Sequence, residues 1–180
     1  MKPVLSHPLR PADLSQRKPT HVRLVPDAGQ LEELSDRLGV DALRKVRLEG
    51  ELRPGPGRDW TLEAALGATI VQPCRVTTDP VTTRIEEPVR RHYSADYDAP
   101  TSTELEMPED DSLEPLPSVI DMGDVLEEAL TLAIPAFPRA PSADGLDLSA
   151  TPPGAAPIED DEAKPFAALS ALKDKLQGKE

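Results

Sequence analysis

The side chains that could do chemistry in this chain are few and scattered. Cys74 is the one cysteine, and the histidines are His7, His21 and His92. No two of these histidines have metal-ligand spacing. Cys74 has no His or Lys beside it in sequence to activate a thiolate, although Arg75 could fold back on it. Paired acids such as Glu86-Glu87 and Asp110-Asp111 read as solvated surface rather than as a catalytic dyad. Gly55 and Gly57 lie between prolines in a turn, and no Lys-Ser or Lys-Thr follows to cradle a phosphate. The expectation is therefore a protein that does not catalyse, with no cofactor and no metal; a Cys-dependent enzyme is the minority alternative. Arg84, Arg90 and Arg91, with Arg75 and Arg53 near them, could form a basic strip on the exposed face of a sheet and touch phosphates. The plainer reading of that face is an ordinary salt-bridged surface, with Glu49, Glu51, Glu86 and Glu87 as partners. The lack of aromatic platforms for base stacking favours it.

Charge along the chain is sorted. Residues 96–163 hold eighteen acids and one base, Arg139, whereas residues 1–48 are net +3. The whole carries −13 over 180 residues. Such a surface repels phosphate backbones and attracts Lys- and Arg-rich proteins. Glu109, Asp110 and Asp111 stand in the acidic stretch as candidate partner contacts.

With 21 prolines and 3% aromatics, the chain is expected to pack about 100–120 residues into one domain. A single cysteine allows no internal disulfide and fits a reducing compartment. No apolar run reaches signal-peptide or membrane-helix length. The chain is thus read as soluble and cytoplasmic, with no membrane partner.

Residues 1–18 read as a flexible, basic, Pro-rich arm with room for a short strand, and residues 19–138 as a single α+β domain. His21–Val25 alternates like a strand. Asp27 then caps a helix over 28–38, where Leu31, Leu34 and Leu38 share a face and Gly39 stops it. Val46–Leu52, Trp60–Val71 and Val81–Tyr93 alternate as an antiparallel meander, with turns at Pro54–Gly57 and Thr77–Pro80. Gly67 is a candidate bulge, and Pro88 puts the last strand at an edge or bulge. In that strand Val81, Thr83, Ile85, Val89 and Tyr93 form the apolar face. Residues 94–117 read as an acidic loop. Asp121, with Asp124, starts a helix over 122–134 that Pro135 ends. Residues 139–163 read as an acidic Pro/Ala-rich linker, and 164–180 as a C-terminal helical segment. There Phe166, Leu169, Leu172 and Leu176 make a stripe over 166–176. The fold class is α+β: a central antiparallel sheet with flanking helices, acidic Pro-rich loops and a C-terminal helix. Phe166, Leu169 and Leu172 are candidate apolar anchors for a partner.

Three blocks together resemble the YceD family, the large ribosomal RNA subunit accumulation proteins, in its alphaproteobacterial form. The first is Ala68-Thr69-Ile70-Val71-Gln72-Pro73-Cys74-Arg75-Val76-Thr77 followed by Asp79-Pro80-Val81, similar to that family's strand into Cys-x-x-Cys. The second is Ile120-Asp121 and then Glu128 through Pro138. The third is Lys164-Pro165-Phe166-Ala167-Ala168-Leu169-Ser170-Ala171-Leu172-Lys173. Thr77 stands where the family often has a second Cys, so no metal site is carried over. The resemblance implies a factor in large-subunit biogenesis that supports 23S rRNA accumulation. The −13 charge suits it to holding a ribosomal protein or a pre-large-subunit particle. Direct 23S rRNA contact through the Arg residues is the alternative.

Overall fold

The computed structural model describes residues 4–97 and 113–144. Its elements are β1 (Pro8–Leu9), β2 (Thr20–Leu24), α1 (Ala28–Leu38), β3 (Ala42–Pro54), β4 (Trp60–Pro73), β5 (Pro80–Ser94), β6 (Leu113–Pro115), β7 (Ile120–Asp121) and α2 (Met122–Ala133). β2 to β6 form a mixed five-stranded sheet in sequence order, and β1 pairs with β7. The class is α+β. The meander β2–β5 is antiparallel, but β6 joins β5 in parallel.

Local chemistry sets the helix ends. Asp27 Oδ1 accepts the Gln30 N–H, and Gln30 Oε1 accepts the Asp27 N–H, both at 2.9 Å. Two N–H groups that the first turn cannot satisfy are thereby bonded. Gly39 closes α1 at φ 65°, a conformation only glycine adopts without strain. Leu34 of α1 and Leu126 and Leu130 of α2 enter one core with Leu48, Leu62, Leu66 and Ile70 of the sheet. Arg37 of α1 also grips Glu127 of α2, at 3.1 and 3.2 Å. The opposite face of the sheet carries charged side chains. Across the sheet the row Val22, Gly50, Ala64 and Val89 lies in register. A Cβ on Gly50 would meet the Glu63 carbonyl oxygen and the Ala64 backbone.

Four expectations need correction. The N-terminal segment is not a free arm. Leu5 is buried, and Pro8 and Leu9 pair with Asp121 and Ile120. The bulge is on β3, where pairing steps from Arg44↔Thr69 to Arg47↔Gly67 around Lys45 at φ 50°. Gly67 itself is regularly paired, and its missing side chain leaves room for the Arg47 and Arg84 guanidinium groups. The loop read over 94–117 contains a strand at Leu113–Pro115. The linker read from 139 begins with a short helical turn, Pro141–Ala143, whose Ala143 is buried. The rest of that linker, and the helix read at 166–176, lie outside the described residues.

Asp121 ties the N-terminal segment to α2. Its carboxylate accepts from Ser6 Oγ (2.6 Å), the His7 N–H (2.7 Å) and the Gly123 N–H (2.8 Å). Asp124 completes no capping box with it. Burial opposes ionisation of Asp121, but these three donors hold its carboxyl below the usual range. Asp121→Ala is expected to cost about 1–2 kcal/mol, as loss of a helix cap does. That lowers Tm by roughly 2–8 °C in a domain of this size. Because the folded pKa is depressed, the stabilisation is present above the unfolded carboxylate pKa. It is lost as pH falls through the folded value. Melting curves of wild type and variant should therefore converge on acidification below about pH 4.

Candidate functional site

β4 ends at Pro73, and the chain turns at once. The Cys74 N–H donates to the Asp79 carbonyl (2.7 Å), and the Thr78 N–H donates to the Cys74 carbonyl (3.0 Å). Cys74 is buried, 2% exposed as a residue. Its sulfur accepts backbone N–H groups from Val76 (3.4 Å), Thr77 (3.4 Å) and Ala140 (3.3 Å). The Thr77 hydroxyl first, and then these N–H groups, hold the thiol down at about 6 against the burial that opposes them. Arg75 contributes its backbone, not its charge: its N–H donates to the Pro138 carbonyl at 3.0 Å. The expectation that Arg75 alone could act on the thiol misses the backbone donors.

One of those donors, Ala140, belongs to a strap, residues 134–143, that follows α2 and lies over the β4–β5 turn. Gln72 Nε2 donates to the Pro135 carbonyl (3.2 Å), and Ser142 Oγ donates to Asp79 Oδ2 (2.9 Å). Asp79 also accepts from the Thr77 hydroxyl at 2.8 Å. Thr77 and then Ser142 keep its carboxyl below the usual range. Ala140 and Ala143 close over Cys74 as a small second core, with Val76 and Val81 against it. The sequence offered one signal for this: residues 140–143 are small enough to pack against a turn.

A thiol set this way predicts its own titration. Thiolate absorbance, measured against Cys74→Ser, should rise with a midpoint near 6 in the folded chain. On unfolding it should return to about 8.5. The folded value is depressed, so the thiolate's stabilisation is present at alkaline pH and is lost as pH falls through about 6. Alkylation of the native protein should nevertheless be slow, because the sulfur is covered.

The arginines do not form one strip. Arg84 lies on the outer face and is held by Glu86, with Nε at 3.0 Å, and by Thr69 Oγ1 at 3.2 Å. Arg47 takes the other Glu86 oxygen at 2.8 Å. Arg84 first, and Arg47 with it, lower the Glu86 carboxyl against burial. Arg53 bridges Glu51 (2.9 Å) and Glu63 (3.1 Å). Arg90 shares the outer face, is exposed, and has no ion pair among the described residues. Arg75 is exposed at the turn.

Arg91 is the correction. It lies on the helix-covered face with Val89 and Tyr93, its side chain 16% exposed, bonded to Glu114 of β6 and to Glu128 of α2 at 2.9 Å. Burial works against its charge, but the two carboxylates more than offset this and raise its pKa. Glu109, Asp110, Asp111, Phe166, Leu169 and Leu172 lie outside the described residues.

Beside Arg91 a groove of about 600 Å³ separates the edge of β5 from α2. Glu87, Pro88, Val89, Arg90 and Arg91 form one wall, and Glu128, Ala129, Leu132 and Ala133 the other. Leu132 is 77% exposed. Among the described residues no three His, Cys, Asp or Glu side chains converge as metal ligands, and no helix is long and apolar enough to cross a membrane.

The turn and the strap are the first two sequence blocks brought into contact. A family model described as large ribosomal RNA subunit accumulation protein YceD matches residues 62–173. The chain belongs to the YceD family. The match runs from β4 through α2 to the block ending at Lys173 and so takes in all three blocks. The family ties this chain to accumulation of large-subunit ribosomal RNA. No curated protein matches the chain, and no solved structure does.

Proposed function

We propose that this YceD protein is a non-catalytic assembly factor for the large ribosomal subunit, which supports 23S rRNA by holding a basic ribosomal protein or an assembly intermediate. It acts in the cytoplasm, where ribosomes are built. The observation that carries the binding reading is the state of its charges. The chain is −13 overall, and most sheet arginines offered as phosphate contacts already hold carboxylates. Arg84 is bound to Glu86, Arg53 to Glu51 and Glu63, and Arg91 to Glu114 and Glu128. Freeing each arginine for a phosphate would break a pair made in the folded state. A Lys- or Arg-rich protein meets no such obstacle and is drawn in by the net field.

The direct test is removal of the gene. The ratio of mature 23S to 16S rRNA should fall, with precursor particles in sucrose gradients. An unchanged ratio and a normal gradient under several growth conditions would overturn the role. The mode of action is tested by capture on the immobilised chain, with and without nuclease. A ribosomal protein that stays bound after nuclease treatment is the expected result. RNA that binds alone, with affinity falling steeply as salt rises, is the outcome that favours phosphate contact.

A further inference from the structure

β5 is much longer than its outer neighbour. It runs from Pro80 to Ser94, and β6 pairs only with His92, Tyr93 and Ser94. No other described residue pairs with that side of β5. The direction of its peptide groups follows from one bond: the Ser94 carbonyl accepts the Leu116 N–H at 2.8 Å on the β6 side. Peptide groups alternate sides along a strand, so even-numbered residues turn theirs the same way. Glu86 and Arg90 thus present both N–H and C=O to the open edge. Pro88 has the same parity. Its missing N–H falls on the open side, so β5 loses no bond to β4.

This edge is one wall of the groove. The α2 residues Ala129, Leu132 and Ala133 form the other, with Val89 between them as an apolar floor. A strand edge beside a helix, with an apolar floor, is the geometry that takes an extended peptide as an added strand. The side chains of such a peptide would point alternately to the helix side and away from it.

We propose that the β5–α2 groove receives an extended segment of a basic protein, added to the β5 edge in line with β6, with Lys or Arg alternating with apolar side chains. This rests on the reading of the chain as a binder of basic proteins and names the surface used. The commitment to a basic segment comes from charge. Glu87 has no ion pair among the described residues, and Glu128, 55% exposed, shares Arg91 with Glu114. Arg90 and Arg91 line the groove with these carboxylates, and with Glu114 behind Arg91 the set is net −1, on a chain of −13. An acidic segment would be repelled, and a second copy would bring the same acids and a second Pro88 to the edge. Each Pro88 removes one donor from such a ladder, so two paired copies would lose two where a peptide loses one.

The test uses the full chain and a soluble peptide alternating Lys with Val or Thr, with a Glu-for-Lys twin as control. Amide exchange is followed by NMR. The basic peptide should slow exchange at the Glu86 and Arg90 amides, and the twin should not. Glu87→Lys and Leu132→Ser alter exposed positions and should leave the melting temperature alone. Each should weaken the basic peptide by about tenfold, as loss of a central contact does.

Any of four results overturns the proposal: no binding of the basic peptide, equal binding of the twin, binding without slowed exchange at Glu86 and Arg90, or full protection of those amides in the free chain. The last would show the edge covered by the protein's own residues. The rRNA ratio on gene removal is an independent readout. If the peptide test fails while that ratio still falls, the docking groove is rejected and the assembly role stands.

Discussion

Gly50→Val is expected to abolish the native fold. A Cβ at position 50 would overlap the Glu63 carbonyl oxygen and lie 2.6 Å from the Ala64 Cβ, so the conflict is with the β4 main chain. A flexible side chain could move aside, but a paired strand in mid-sheet cannot. Valine adds two more carbons at the same point. Overpacking of ordinary cores costs about 1–3 kcal/mol, and a backbone conflict belongs to the class above about 4–5 kcal/mol. Total stabilities are only about 5–15 kcal/mol. Circular dichroism should show lost strand signal at 25 °C. The control is Gly57→Ala. Gly57 has open space around it but sits at φ 62°, so the cost there is left-handed strain of about 1–2 kcal/mol and the fold should survive. A folded Gly50→Val with wild-type melting would show that β3 and β4 do not approach as described.

Trp60→Ala should cost about 3–5 kcal/mol, the range for truncating a large buried aromatic. Trp60 is 1% exposed and pairs across the sheet with Pro54 of β3 and Tyr93 of β5. Tyr93 supplies a second readout. Burial first, with the Glu114 charge, pushes its phenol up to about 12. With Trp60 gone, water reaches that ring, and its ultraviolet titration should move back toward about 10. Denaturant midpoint and tyrosine titration should shift together. A lowered midpoint with an unmoved Tyr93 would place the cavity away from that ring. Trp60 is the only tryptophan, so its fluorescence can follow unfolding of the other variants.

These two residues also show how legible the chain was. Trp60 was readable because it begins the alternation Trp60, Leu62, Ala64, which marks one buried face. Gly50 was not, because nothing local says that another strand's backbone will occupy its Cβ position. The helix ends were legible for the same local reason as Trp60. Asp27, Gly39, Asp121 and Pro135 act on N–H and C=O groups within a turn of themselves. Arg91 was misassigned although a signal existed: it has the odd parity of Val89 and Tyr93, and a two-residue period puts it on their face. Its charge suggested solvent, but Glu114 and Glu128 make the helix side tolerable for it.

By itself, then, the sequence determined the α+β class, both described helices, the antiparallel meander and the −13 charge, and its three blocks pointed to the YceD family. Each of these is written in short-range periodicity, in capping residues or in composition. Only the tertiary structure decided the two-residue strand Pro8–Leu9 against β7, the parallel pairing of β6, the Ala140 donor to Cys74 from 66 residues away, and the open edge of β5 beside α2. Two- and three-residue strands are too short to show a period, and they form only because a distant partner bonds their peptide groups. The Cys74 site depends likewise on where the strap lands after α2. How much of β5 stays open depends on where β6 stops, which no residue of β5 encodes; Pro88 marks only that the strand has an open side.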